Sequence, residues 1–230
     1  MNFRLILSGA AACVLATACA VAPQLPVELA PGAVGPQGGR VGVAMTKLPA
    51  QDTEVPGAGC LLCLAVASAA NSALTDHARK LPYEDLPRLK DQVAELLRKK
   101  GTDAVVIAGD LDLGALSDAA AKGTNIAAKD FRPLRTKLQV DRLLVMNVDA
   151  IGFTRSYSGY VPTTDPRAML RGAAYIVNLS TNAYEWYAPV NVTKTADGPW
   201  DEPPNFPGLS NAYFYVLETS KDRFLEKFRQ

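Results

Sequence analysis

The chain has 230 residues and an almost even charge balance, with 24 Lys and Arg against 23 Asp and Glu. This balance gives no indication of a nucleic acid or an anionic surface as a partner. Because 48% of the residues are hydrophobic, the chain can form a globular core. We therefore expect one folded domain with short appendages.

The first residues have the pattern of an export signal. Arg4 precedes an apolar run over 5–14, and small residues lead up to Cys19. This order resembles a bacterial lipoprotein signal peptide, in which cleavage falls just before a cysteine that receives a diacylglycerol. The resemblance implies a signal peptide over 1–18 and a lipid anchor on Cys19. Because Ala20 and not Asp follows the cysteine, it also implies the outer membrane, on its periplasmic side.

This segment has two other interpretations. The small residues at 16–18 also fit the Ala-x-Ala rule of ordinary signal peptidase, so a secreted or periplasmic soluble protein stays open. An uncleaved membrane-spanning helix is not expected, because the apolar run is shorter than the ~20 residues that a bilayer requires. Residues 19–40 alternate between Pro and Gly and predict a semi-extended tether. We expect the folded domain over 41–230.

Periodicity and turn residues predict the elements of this domain. They are a strand over 41–48, helices over 60–74 and 85–100, a strand over 103–108, a helix over 130–139, a strand over 142–153, a hairpin of strands over 168–179 and 183–192, and a closing helix over 211–228. Early strand–helix alternation favours parallel pairing, and later consecutive strands favour antiparallel pairing. The expected fold is therefore α/β (α+β), a single mixed sheet with helices packed on it, in the order β-α-α-β-α-β-β-β-α.

The element order, the tethered lipidation motif and the strand–strand–helix ending resemble a group of bacterial envelope proteins. The group includes the curli-export lipoprotein CsgG, the penicillin-binding-protein activator LpoB, PelC and the N-terminal domain of TolB. The segment Gly-Ala-Gly-Cys-Leu-Leu-Cys-Leu over 57–64 is also similar to one in uncharacterised proteobacterial lipoproteins. The resemblance implies a non-enzymatic binding or assembly component without a cofactor. Its partner would be an envelope protein or a second copy of the chain, and not a nucleic acid.

Cys60 and Cys63 form the one motif with possible chemistry. They can be a structural disulfide, two buried thiols, or a redox pair at a helix N-terminus, where the helix dipole lowers the pKa of a thiol. The alternative function is therefore a membrane-tethered thiol–disulfide protein. A zinc site requires two further ligands, and His77 with scattered carboxylates does not supply them, so no metal is expected. We interpret His77 as a solvated residue at a helix end.

Aromatic residues concentrate in two stretches near the end of the chain. In a regular strand, Tyr184 and Trp186 share one face while Tyr187 points to the other. Aromatic side chains dominate binding hot spots, so one pair of these, if exposed, would suit a protein partner. Alternatively, the loop that carries Trp200 folds back over the sheet. The candidate partner-binding residues are Tyr184, Trp186, Tyr187, Trp200 and Phe206.

Overall fold

The computed structural model describes residues 23–229, and these residues form a six-stranded mixed sheet with helices on both faces. The elements in chain order are β1 (Arg40–Met45), β2 (Asp52–Glu54), α1 (Leu61–Ala70), α2 (Ser72–Ala78), a 3-10 turn (Leu86–Arg88), α3 (Leu89–Lys99), β3 (Asp103–Val106), α4 (Pro133–Leu138), β4 (Arg142–Thr154), β5 (Tyr157–Ser158), β6 (Val161–Pro162), β7 (Arg167–Asn178), β8 (Tyr184–Thr195) and α5 (Pro207–Arg229). Between residues 23 and 229, no helix has the length and apolarity needed to cross a membrane.

The strand order is β3-β1-β4-β7-β8, and β2 continues the line of β1 alongside the far half of β4. β1 pairs in parallel with β3 and β4, whereas β7 is antiparallel to β4 and β8. The predicted mixed α/β fold is therefore confirmed. Two features were not predicted: the short strand β2 and the small hairpin of β5 with β6.

Helices cover the sheet unequally. On one face, α2, α3 and α5 bury the main core, to which β4 contributes Leu144 and Phe153. Leu89, Val93 and Leu97 of α3 are fully buried at a helical spacing of four residues, as its periodicity predicts. On the other face, a smaller core around Phe131 lies beneath α4 and the long loop before it.

The two ends of the sheet differ in what surrounds them. We call the end where β1, β3 and β4 begin the amino end; α3 and α4 terminate there. We call the end where β4 finishes at Thr154 the carboxyl end; β2 and the β5–β6 hairpin lie there. Because β4 has 13 residues, these ends are roughly 40 Å apart.

The segment over 27–39 packs on the domain, which differs from the predicted tether. Val27 and Tyr187 exchange backbone hydrogen bonds of 2.9 and 3.0 Å, and Ala30 N–H donates to Glu185 O at 2.8 Å. Ala33 is 1% exposed. The Pro and Gly content predicts an unfolded chain, but the apolar residues between them are enough to dock on the sheet edge. Residues 27–39 thus contact the sheet that the later residues form, while Cys19 lies outside the described residues.

Candidate functional site: an exposed apolar patch at the carboxyl end

Helix α1 is apolar, yet most of it faces solvent. Only Cys63 and Ala67 of its ten residues are buried. Leu61 is 90% exposed and Leu62 70% exposed. The helix contains no charged residue. Because a helix that is apolar on all sides is normally buried, the outward side of α1 is a surface that lacks its cover.

The β5–β6 hairpin extends this surface. A Cβ atom built on Gly159 would lie 3.8 Å from Cys63 Sγ, so the hairpin turn is adjacent to the start of α1. Its next two residues, Tyr160 and Val161, are 64% and 53% exposed. Together these side chains form what we call the exposed apolar patch, which consists of Leu61, Leu62, Leu64, Val66, Tyr160 and Val161. Apolar clusters of this kind with a polar rim mark interaction sites.

A polar groove of about 550 Å³ forms one rim of the patch, between the α1–α2 pair and β2. Three of the charged groups that line it form ion pairs. Arg79 lies 3.6 Å from Asp52, and Arg171 binds both carboxylate oxygens of Glu54 at 2.7 and 2.9 Å. The groove therefore offers fixed polar groups beside an uncharged helix.

The start of α1 is fixed by a disulfide between Cys60 and Cys63. Cys60 is the N-cap residue, and its Sγ accepts a hydrogen bond from Cys63 N–H at 3.0 Å. The crosslink closes the first helical turn and holds Leu61 and Leu62 between its two ends. Within residues 23–229, no group of three or more His, Cys, Asp or Glu side chains has the arrangement of a metal site.

The other end of α1 is set by Asn71, which is 3% exposed. Its Nδ2 donates to Ala67 O at 2.7 Å and to Tyr157 Oη at 2.6 Å. The single helix predicted over 60–74 is therefore divided here into α1 and α2. Because Tyr157 begins β5, the same side chain ties α1 to the hairpin that completes the patch.

The aromatic residues of β8 do not have the predicted orientation. A bulge at Glu185 places Tyr184 opposite Val177 and Trp186 opposite Ile176. Tyr184 and Tyr187 therefore share one face, with ring centroids 5.2 Å apart, and both contact Tyr175. Burial raises the pKa of Tyr184 to about 12, and the nearby Tyr187 adds to this shift.

The remaining aromatic candidates lie in the core on the opposite face. Trp186 is 5% exposed and packs edge-on against Phe228 at 5.0 Å. The loop with Trp200 folds back over the sheet, where Trp200 stacks on Phe206 at 6.3 Å and lies beneath the Arg155 guanidinium at 4.8 Å. The five candidates thus occupy three separate places, and none belongs to the exposed apolar patch.

His77 lies at the end of α2, as predicted, but it is half-buried and not fully solvated. Its Nε2 lies 2.7 Å from Ser210 Oγ, and its ring is close to Phe206 at 5.4 Å. Desolvation lowers the pKa of His77 below its usual range, and Lys80 adds to this effect. Ser210 Oγ also donates to Phe206 O at 3.1 Å, the bond that helical serines form with the preceding turn. The pair fastens the Trp200 loop to α2.

Comparisons with known proteins show distant similarity alone. No protein-family model matches the chain, and no curated protein matches it. Among solved structures, the PelC dodecamer from Paraburkholderia phytofirmans aligns at 13% identity with a TM-score of 0.31, covering 84% of this chain and 94% of that one. Protein XCC0632 from Xanthomonas campestris, described as DUF330, aligns at 11% identity and a TM-score of 0.40, over 88% and 91%. Lipoprotein GNA1162 from Neisseria meningitidis aligns at 11% and 0.30, over 70% and 84%.

Proposed function

We propose that this protein is a non-enzymatic component of the bacterial cell envelope that binds another protein through the exposed apolar patch. A lipid on Cys19 would hold it to the outer membrane, on the periplasmic side. The observation that carries the proposal is the 90% exposure of Leu61 in an uncharged helix. Burying one leucine side chain contributes about 1.5–3 kcal/mol, so covering this helix favours association.

The position of the patch favours a protein over the anchoring bilayer as its cover. The described chain starts near the amino end, where Gln24 Nε2 donates to Asn125 Oδ1 at 3.1 Å and Asn125 O accepts the N–H of Tyr184. Cys19 is four residues before Pro23, and four residues span at most roughly 14 Å. The patch is at the opposite end of a strand roughly 40 Å long. A bilayer at the amino end therefore leaves the patch accessible to a protein.

Site-specific photo-cross-linking in intact cells tests this proposal. A photo-reactive phenylalanine analogue at Val66 lies within the patch, and we expect irradiation to give a covalent adduct with another protein. The same analogue at Glu95, on the solvent side of α3, is the control and should give none. Adding Leu62→Glu should lower the Val66 adduct at least tenfold, because a charge at a dry interface costs more than 1.4 kcal/mol.

The mass of the adduct identifies the partner. Twice the mass of the chain indicates self-association, and any other mass indicates a second envelope protein that mass spectrometry can identify. Absence of an adduct at Val66, or equal adducts at Val66 and Glu95, would contradict the proposed binding surface.

A second candidate function is thiol–disulfide exchange, which one observation favours. Cys60 is exposed, whereas Cys63 is 9% exposed, so a thiol in solution can attack the outer sulfur and release the inner one. On our first proposal, the Cys60→Ser, Cys63→Ser variant keeps the Val66 adduct, since serine also serves as an N-cap. It should lose about 2 kcal/mol of unfolding free energy, the contribution expected for so short a loop.

The single variant Cys63→Ser separates the two functions. It leaves Cys60 free to hold a mixed disulfide with a substrate. We expect no such species on non-reducing gels of cell envelopes. Its appearance, together with a normal fold by circular dichroism, would establish the thiol–disulfide function.

A further inference from the structure

Basic side chains gather at the amino end of the sheet. Helix α3 ends in Arg98, Lys99 and Lys100, and α4 carries Arg135 and Lys137; all five are exposed. The direction of the two helices brings these side chains together. Both helices run toward the amino ends of the strands that follow them, and cationic groups are favourable at helix C-termini.

Acidic groups at this end are fewer than the basic groups, and several of them form ion pairs. The basic groups outnumber them, so this end carries a net positive charge although the whole chain is nearly neutral. The ion pairs at this end include Glu95 with Lys99, Asp103 with Arg40, Asp141 with Arg135, and Glu185 with Arg142.

The chain enters the domain at this same end. Tyr184 begins β8 and pairs with Val177 of β7. Val177 in turn pairs with Leu143, the second residue of β4. Gln24 is held beside it through Asn125. Leu25 is 73% exposed, although it is a large apolar residue. A lipid on Cys19 would therefore bring the basic end and Leu25 to the membrane surface together.

We propose that the amino end of the sheet lies against the anionic headgroups of the membrane that holds Cys19. Its Lys and Arg side chains contact lipid phosphates, and Leu25 reaches the interfacial layer. This inference rests on the proposed lipid anchor. It sets the orientation of the domain, because the exposed apolar patch then points away from the bilayer at a height of roughly 40 Å.

The range of electrostatic attraction limits which groups contribute. The Debye length is about 8 Å at physiological ionic strength, so basic groups at the carboxyl end are screened from the membrane. Each Lys or Arg close to an anionic surface increases the population of the bound orientation about fivefold. Removal of Lys100 and Lys137 should therefore lower that population about 25-fold.

Energy transfer from the domain to the bilayer measures this orientation. The lipid-bearing full-length protein is incorporated into vesicles of phosphatidylglycerol and phosphatidylcholine in equal parts, with an acceptor dye on the headgroups. A donor dye is attached at Thr136→Cys, at the amino end, or at Ser158→Cys, at the carboxyl end. We expect strong transfer from position 136 and weak transfer from position 158.

Charge variants distinguish contact with the headgroups from the effect of the short chain segment between Cys19 and the domain. In vesicles of phosphatidylcholine alone, or with Lys100→Gln and Lys137→Gln, the difference between the two donors should become clearly smaller. The matched pair Lys47→Gln and Lys80→Gln, which lie away from the amino end, should preserve it. The inference would be overturned if the difference between the donors stayed the same in phosphatidylcholine vesicles and in the Lys100→Gln, Lys137→Gln variant. Stronger transfer from position 158 than from position 136 would also overturn it. Failure of the protein to remain with the vesicles would instead contradict the lipid anchor on which this inference rests, whereas the Val66 adduct tests the proposed binding surface independently.

Discussion

Replacing Glu185 with alanine should lower the unfolding free energy by about 3 kcal/mol, as measured by urea denaturation. The Glu185 carboxylate binds Arg142 and accepts a hydrogen bond from Asn178 Nδ2 at 2.8 Å. The Arg142 and Glu185 side chains are only 18% and 17% exposed. Alanine would leave the Arg142 guanidinium in a poorly hydrated site without its counter-charge, which is the costly way to break a buried ion pair.

The Arg142–Glu185 pair also holds the segment over 27–39 on the domain. Arg142 also donates to Gly38 O, and Glu185 O accepts the Ala30 N–H at 2.8 Å. Loss of the carboxylate should therefore release the segment over 27–39 before the rest of the sheet unfolds. Amide hydrogen exchange at Val27 and Ala30 is expected to become faster than exchange in β4.

Two further variants check this interpretation of Glu185. Glu95→Ala removes an exposed i,i+4 pair with Lys99 and should cost about 0.5 kcal/mol or less. Arg142→Met combined with Glu185→Leu removes both charges at once and should recover most of the stability. A cost for Glu185→Ala no larger than that of Glu95→Ala would show that the buried pair contributes nothing.

Glu185 also shows why the aromatic site could not be predicted from sequence. Strict alternation places Tyr184 and Trp186 on one face, and that reasoning is correct for a regular strand. One inserted residue at a bulge reverses the face to which every side chain before the bulge points. Glu185, the residue at the bulge, contacts Arg142 of β4 and Asn178 of β7, and no local pattern in β8 indicates those contacts.

The fold itself could be predicted further than the site. Residues 143–146 form a continuous apolar run, which indicates a central strand buried on both sides, and the spacing of Leu89, Val93 and Leu97 indicates one buried helix face. Strand β2 escaped prediction because Asp-Thr-Glu is short and polar. Its position is set by a backbone that comes close to Gly152.

Helix α1 illustrates the limit for functional residues. Its Ala- and Leu-rich sequence predicts a helix that must be covered, and the structure contains that helix. Sequence alone does not distinguish cover by the domain's own core from cover by a partner. Leu61 is 90% exposed, so the domain's own core does not cover it.

Replacing Gly152 with alanine is expected to lower the unfolding free energy by about 3 kcal/mol or more. Gly152 has φ +133°, and a Cβ atom there would lie 2.1 Å from Asp52 O and 2.8 Å from Asp52 N. Both contacts involve the backbone of β2, which pairs with β4 at this point. No side-chain rotation can relieve them, so β2 must move away from the sheet.

Gly198→Ala is the matched control for backbone conformation. Gly198 also has a positive φ, +100°, but a Cβ atom there meets nothing within 4 Å. It should cost about 1 kcal/mol, the conformational part of the effect alone. The difference in unfolding free energy between the two variants, from urea denaturation, then measures the clash with β2. Equal losses of unfolding free energy would mean that β2 moves without an energetic cost.

The effect of Gly152→Ala should extend to the exposed apolar patch. Asp52 of β2 lies close to Arg79, which follows α2, and the groove between β2 and α1 positions the helix that carries Leu61. Displacing β2 removes one wall of that groove. We therefore expect Gly152→Ala to lower the Val66 photo-adduct in cells even at temperatures where the protein remains folded, whereas Gly198→Ala leaves it unchanged. An undiminished adduct would show that α1 keeps its place without β2, held by Asn71 and the disulfide alone.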